Sequence, residues 1–472
     1  MTVRSFYDKT REACDDRELS RKLHTATDRQ DQARKVICEE LGDIEAFREL
    51  AKDLRDDILW NLDRYLTTFV EHAETAGVRV HWAADAGEAR EAIAGIAEKH
   101  NVQRIVKSKS MVTEEIGLND HLERHGYEVI ETDLGEFIVQ LKEEGPSHIV
   151  VPAVHLSTAD VGMLFKEKLG YTGPIEADAL TKAARRHLRE IFKTAQMGIS
   201  GVNLAVAEQG QWIICTNEGN GRFVTTMPQV YVAVMGMERI VQDIDSAGVI
   251  LKLLAKFATG QRLTQYVNIM QGPGDDEGPR HVHLVILDNG RSRILGSRYR
   301  SMLRCIRCGA CLNACPVFKQ IGGHPYSGCY SGPMGSVLLP LLEGLKQAGD
   351  ATKACSLCRL CNEVCPVKIP LADHIVALRS DMVKAGITDR LERVSMAAAS
   401  RILRHPQGYR WGRKFMRSIL RLRSHAGWVR DLPSIPGRWT REKDLPLPAP
   451  ESFIEAFYAR QAADHVEADR GE

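Results

Sequence analysis

The chain has 472 residues, 44% hydrophobic and 26% charged, an ordinary globular balance that excludes a wholly disordered or low-complexity protein. With 63 Lys and Arg against 62 Asp and Glu the net charge is +1, so no nucleic-acid partner is expected from overall charge. No apolar run approaches the ~18–20 residues of a bilayer span. The polar start MTVRSFYDKTREACDDRELS lacks a signal-peptide pattern and no C-terminal lipidation box follows, so the expected location is the cytoplasm.

Four regions follow in order. Residues 1–75 read as an N-terminal helical segment, with Leu50, Leu54, Ile58, Leu62, Leu66 and Phe69 at helical spacing. Over 76–290 short apolar strands alternate with helices. Strands are expected at Val78–Trp82, Arg104–Val106, Tyr127–Ile130 and His148–Val151, and helices at Glu88–Lys99, Thr113–Arg124 (Thr113 as N-cap) and Asp133–Lys142. More strands are expected at Val202–Ala207, Trp212–Thr216, Tyr231–Val234, Tyr266–Ile269 and His281–Leu287, with a helix near Asp243–Phe257. The alternation implies one α/β domain on a parallel or mixed sheet. Residues 291–385 carry most of the cysteines. Residues 386–472 form a basic tail with Trp and Pro, in which PLPAPESF (446–453) reads as extended.

Nine of the twelve cysteines lie between Cys305 and Cys365, and in a reducing compartment so tight a group reads as metal-binding or catalytic. Cys305, Cys308, Cys311 and Cys315 form C-x-x-C-x-x-C-x-x-x-C before Pro316; Cys355, Cys358, Cys361 and Cys365 repeat it before Pro366. Thiols at steps of three wrap three corners of a cubane, and in two-cluster ferredoxins the fourth Cys of each run ligates the other cluster. One [4Fe–4S] cluster is therefore expected on Cys305, Cys308, Cys311 and Cys365, and a second on Cys355, Cys358, Cys361 and Cys315. Two zinc knuckles or eight buried thiols are the bland alternatives. The 39 residues between Cys315 and Cys355 include a helical pattern at Val337–Lys346, as in the α-helical ferredoxin domain of respiratory iron–sulfur subunits. Cys329 reads as a bystander. No acid occurs between Asp288 and Glu343, where Arg291, Arg293, Arg298, Arg300, Arg304, Arg307 and Lys319 either stabilise anionic clusters or form a solvated basic face.

The stretches KSKSMVTEEIGLN (107–119), VIETDLGEFIVQL (129–141), PSHIVVPAVH (146–155), GISGVNLAVAEQG (198–210) and TNEGNGR (216–222), with both cysteine runs, resemble the lactate utilization protein B family. That resemblance implies an iron–sulfur, LUD-domain subunit of a bacterial complex oxidising L-lactate to pyruvate. It also implies two partner subunits, a second LUD-domain protein and a cysteine-rich-motif protein, and a LUD fold similar to CoA transferases and ribose-5-phosphate isomerase.

Two loops of the α/β region are candidates for a small carboxylate such as L-lactate. TNEGNGR follows a strand, at the edge where open α/β sheets bind ligands. Glu218, Asn220 and Arg222 are its candidate residues, and Glu218 also resembles the acylated glutamate of CoA transferases; the plain alternative is a turn needing φ > 0 at its glycines. KSKSM follows a strand and precedes a helix, so Lys107, Ser108, Lys109 and Ser110 are anion-binding candidates. His281 and His283 share one strand face, with sheet packing the simpler reading. GPGDDEG (272–278) is neither a dinucleotide fingerprint nor a P-loop, and no flavin motif is evident.

The expected function is electron transfer. Clusters move single electrons, whereas oxidising a 2-hydroxy acid removes two electrons, so the primary acceptor lies in a partner, an unrecognised site or a bound cofactor. The rivals are an acyl- or CoA-transferring enzyme using Glu218 with structural clusters, and a docking scaffold. In the tail, Trp411, Phe415, Ile419 and Leu422 recur beside a row of Arg413, Arg417 and Arg421. This basic amphipathic pattern fits partner docking or peripheral contact with the inner membrane face, or a helix merely folded back.

Overall fold

The computed structural model describes residues 5–40, 42–274, 277–326, 328–432, 440 and 443–468. Residues 1–387 form one compact unit and 388–472 another.

The first unit opens with helices Phe6–Asp15, Arg17–Glu39, Ile44–Trp60 and Leu62–Thr75. Ser5, Asp16 and Asp43 cap three of them by accepting backbone N–H groups of the first turn. Ten strands follow: β1 (Arg79–Ala83), β2 (Arg104–Lys107), β3 (Glu128–Glu131), β4 (Met197–Gly201), β5 (Leu204–Val206), β6 (Gln211–Thr216), β7 (Val230–Gly236), β8 (Ile240–Val241), β9 (Tyr266–Met270) and β10 (His281–Leu287). Six form a sheet in the order β1-β10-β7-β4-β2-β3, all neighbours parallel. β7 reads VYVAVMG with every residue buried, the unbroken apolar run of a strand covered on both faces. A second sheet orders β8-β5-β6-β9.

Local departures from the sequence pattern have identifiable causes. His148–Val151 is not a strand: His148 Nδ1 accepts the amides of Val150 and Val151 at 3.0 and 3.1 Å, taking the donors that a ladder would need. The helix expected from Thr113 starts at Met111 with Ser110 as N-cap, and breaks at Gly117, where φ is 60°, before Leu118–Arg124. Of the stretch expected as one strand over Val202–Ala207, only Leu204–Val206 is a strand (β5); Val202 and Asn203 link it to β4, and Ala207 opens a 3-10 turn. Helices Thr158–Leu169 and Ala177–Thr194, missed in the sequence, cover the β2–β3 side. Asp133 and Asp243 cap Leu134–Leu141 and Ile244–Thr259.

The cysteine region is mostly short helices, Gly332–Glu343 and Leu371–Lys384 being the longest. It shares one apolar core with the N-terminal helices, Leu23 and Leu59 packing in the same cluster as Leu312, Phe318 and Val337. Arg55 is buried at 2% exposure and donates to the carbonyls of Ile240, Glu238 and Leu303, pinning helix Ile44–Trp60 to both neighbouring regions.

The second unit contains helices Arg390–Leu403, Pro406–Leu422 and Phe453–Ala468 and a small sheet of Ser424–His425, Trp428–Val429 and Leu445–Pro446. Pro406 opens its helix, where a missing N–H costs nothing. Trp411, Phe415 and Leu422 are 75%, 69% and 87% exposed, while Arg413 pairs with Glu455 at 2.7 Å and Arg417 donates to Pro448 O.

Candidate functional site

The two cysteine runs share a backbone design. In the first, Arg307 and Gly309 have φ of 61° and 78°; in the second, Leu357 and Arg359 have 59° and 67°. Left-handed residues on either side of the second Cys turn successive thiols toward one centre, and non-glycine residues adopt that conformation only when the surroundings over-determine it. Cys315 lines one small cavity with Cys355, Cys358 and Cys361, crossing from its own run to the other. Cys365 sits toward the first run: the Cys365 thiolate charge adds to burial in raising Cys308 and Cys311. Burial pushes Cys315 and Cys365 up to about 11 and Cys361 to about 12.

Such thiols ionise readily only toward a metal, so a four-thiol set of this kind fits a cluster. Backbone amides support the set. Phe318, Leu357 and Ile369 donate N–H to Sγ of Cys315, Cys355 and Cys365 at 3.5, 3.3 and 3.3 Å, contacts that stabilise cluster sulfurs. Cys308, Cys311 and Cys361 are buried, whereas Cys358 is exposed, with Leu357 and Leu360 42% and 40% exposed around it.

The basic run is neutralised from elsewhere. Arg291 pairs with Glu115 and Glu238, Arg298 with Asp381, Arg304 with Asp56 and Lys319 with Asp28. Arg293 and Arg298 stay exposed, so the neutralisation is partial. Arg307 differs: it lies over the Tyr330 ring at 4.3 Å and 3.7 Å from Glu238, with Nε and Nη1 buried and unpartnered.

Arg307 borders a cavity of about 410 Å3 at the C-terminal ends of β2, β4, β6 and β7, the size of a small-ligand site. Ser108, Lys109 and Ser110 come from beyond β2, Gly201 and Asn203 from β4, Thr216 and Glu218 from β6, and Arg307 and Tyr330 from the cysteine region. Lys109 Nζ is buried without a hydrogen bond, its nearest carboxylate Glu136 being 3.8 Å away. Burial, only partly offset by that lysine, pushes Glu136 up to about 8. Glu218 is exposed at the mouth; its carboxyl accepts the Leu134 amide at 2.9 Å. Desolvation of that carboxyl and then the charge of Asp133 push it up to about 7. Asn220 lines the wall, donating to Thr132 Oγ1 at 3.2 Å with Oδ1 unpartnered. The turn explanation holds at Gly219, with φ of 75°, but Gly221 is inside the helix that follows.

The other candidates are placed differently. Lys107 is fully buried between Glu114 and Glu131 at 2.9 and 2.6 Å, its charge already answered. Arg222 turns away, donating to Asn268 at 3.1 Å and lying over Tyr266. His283 stacks in the sheet with His81, its Nδ1 2.9 Å from His81 Nε2. Cys329 is half-buried near Glu115 and lies outside the cavity shared by Cys315 and the second run. Arg307, Arg239, Tyr330, Asn203 and Asp133 were not legible as site residues. The one available signal was that Arg307 stands between two ligand-spaced cysteines.

A model of the LUD domain matches residues 66–287, and one of a 4Fe-4S dicluster domain matches 301–369. The chain thus carries a LUD domain and a domain for two 4Fe-4S clusters. It is 41% identical over 468 residues to the uncharacterized electron transport protein YkgF of Escherichia coli K12, covering 97% of each. Lactate utilization protein B of Bacillus subtilis is 40% identical over 475 residues, covering 99% of this chain and 98% of that one; that of Geobacillus kaustophilus is 42% identical over 461 residues, covering 97% of each. Among the described residues no helix is long and apolar enough to cross a membrane.

Proposed function

The chain belongs to the lactate utilization protein B family, and from that premise we propose that it is the electron-transfer iron–sulfur subunit of a complex that oxidises L-lactate to pyruvate. When bound, the clusters supply two one-electron acceptors. We assign one to Cys305, Cys308, Cys311 and Cys365 and the other to Cys355, Cys358, Cys361 and Cys315. The shared cavity of Cys315 with the second run supports that pairing.

The observation that carries the reading of the LUD region is the composition of the cavity wall, where Lys109 and Glu218 of the sheet edge face the same space as Arg307 of the first cysteine loop. Lys109 and Arg307 offer buried, unpartnered N–H groups to a small carboxylate. Glu218, with its carboxyl near 7, is placed to accept the hydroxyl proton of a 2-hydroxy acid, while the carbon-bound hydrogen leaves with two electrons to a two-electron acceptor outside the clusters, which then passes electrons to them one at a time. Asn220 and Ser110 orient the ligand. Electron-transport and lactate-utilisation relatives favour this over acyl transfer through Glu218.

Two further subunits, a LUD-domain protein and a cysteine-rich-motif protein, complete the complex. The exposed Trp411, Phe415 and Leu422 face of the second unit docks them or an anionic membrane surface. The deciding experiment is a reductive EPR titration of anaerobically purified chain, with L-lactate oxidation measured for the chain alone and for the three-subunit mixture. Two clusters reduced by lactate in the mixture are expected. Redox-silent clusters beside thioester-dependent activity would sink the proposal.

A further inference from the structure

Away from both cysteine runs, three metal-ligating side chains converge from distant segments. Glu144 follows helix Leu134–Leu141, His155 lies in the turn after Pro152, and His324 belongs to the insert between the cysteine runs. One ligand atom from each lies within 4.8 Å of the others. His155 Nε2 is 3.0 Å from a Glu144 oxygen, and the two imidazole rings are 4.7 Å apart at 75°. His324 Nε2 is 3.0 Å from the Gly145 carbonyl, so that nitrogen donates and Nδ1 keeps a lone pair. Lys142 also pairs with Glu144 and balances part of its charge.

His155 leaves one hydrogen-bonding demand unmet in either tautomer. Its side chain is only 8% exposed, and Nδ1 is buried without a partner. If Nε2 carries the proton and donates to Glu144, a lone pair is buried at Nδ1. If Nδ1 carries it, the Nε2 lone pair faces a carboxylate oxygen at hydrogen-bond distance, which is repulsive unless a cation lies between them.

We propose that Glu144, His155 and His324 form a binding site for a late first-row divalent cation of the zinc class. Two imidazoles and one carboxylate are a borderline donor set, suited to zinc and its neighbours rather than to calcium or magnesium, which take oxygen ligands. The exposed side of His324 leaves a position for water. No cysteine belongs to the set, so it is separate from the cluster ligands. An ion here ties the segment 144–155 of the LUD region to the insert that begins after Cys315, and so holds the insert against the sheet.

The test uses the full chain with both clusters loaded. Zn2+ is titrated calorimetrically, with Mg2+ as control, and the zinc environment is read by X-ray absorption. One Zn2+ per chain with a nitrogen–oxygen shell near 2.0–2.1 Å is expected, with no heat from Mg2+. His324→Ala, on the exposed ligand, and Glu144→Gln should each weaken zinc binding at least tenfold while iron content stays unchanged. Wild-type affinity in both variants, a sulfur-dominated zinc shell, or no zinc binding would each overturn the proposal.

Discussion

Arg48 donates from Nε and Nη2 to the carbonyl of Cys365 at 3.1 and 2.9 Å, joining a helix of the first segment to the last cysteine of the second run. The 1–75 segment is therefore part of the support for the cysteine region. Replacing Arg48 by Met removes a charged donor pair worth about 1.5–3 kcal/mol. Iron release to a chelator should accelerate roughly tenfold or more, and reduction of the affected cluster should shift to lower potential. Unchanged release kinetics would show the contact to be incidental.

Crossed ligation makes opposite forecasts for two serine substitutions. Cys315→Ser should disturb the EPR signal of the cluster on Cys355, Cys358 and Cys361, and Cys365→Ser the signal of the other. If each substitution disturbs the cluster of its own run, the pairing is uncrossed.

The Glu218 carboxyl is raised to about 7, first by local desolvation of the carboxyl itself and then by the charge of Asp133. As a base it works ionised, so lactate-dependent electron flow should rise as pH passes upward through 7. Glu218→Gln should lower that flow and flatten the profile with iron content intact. A Gln variant that keeps the wild-type profile removes Glu218 from the site.

Glu136 is buried and raised to about 8, with burial the main cause. A carboxyl whose folded value lies above its unfolded value stabilises the fold below the unfolded value, near 4.3, and loses that contribution as pH climbs through 8. Glu136→Gln should therefore flatten the decline of thermal stability between pH 5 and 8. An identical decline in wild type and variant would show that Glu136 does not titrate in this window.

Lys107 sits fully buried between two carboxylates. Lys107→Met strands both charges and should cost about 3–5 kcal/mol, read as a lower unfolding midpoint. A loss of ligand binding without loss of stability would instead return Lys107 to the site.

Deleting residues 388–472, a separate unit, should leave both clusters and abolish salt-sensitive retention on partner subunits or anionic vesicles. Loss of iron from the truncated chain would make the tail structural.

Much of the architecture is written in local chemistry. Each cysteine run announces its cluster because ligand spacing is a property of a few consecutive residues, and β7 announces a buried strand because a strand covered on both faces is a nearly unbroken apolar run. Lys109, Ser110, Glu218 and Asn220 were legible because loops after strands sit at the binding edge of an open sheet.

What the sequence could not decide is which charges remain free. Lys107 closes β2, whereas Lys109 lies two residues beyond it, where strand alternation no longer governs direction, so one ends between Glu114 and Glu131 and the other lines the cavity. The seven cations between Asp288 and Glu343 read as one basic patch, yet Asp28, Asp56, Glu115, Glu238 and Asp381 reach several of them from far along the chain. Arg307 keeps two buried N–H groups without partners because its left-handed backbone carries it over Tyr330 and away from a full carboxylate pair. Pairing depends on distances of a few ångströms between remote segments. The sequence alone therefore determined most of the elements and the spacing of the cysteines, while only the tertiary fold decided which cations line the cavity.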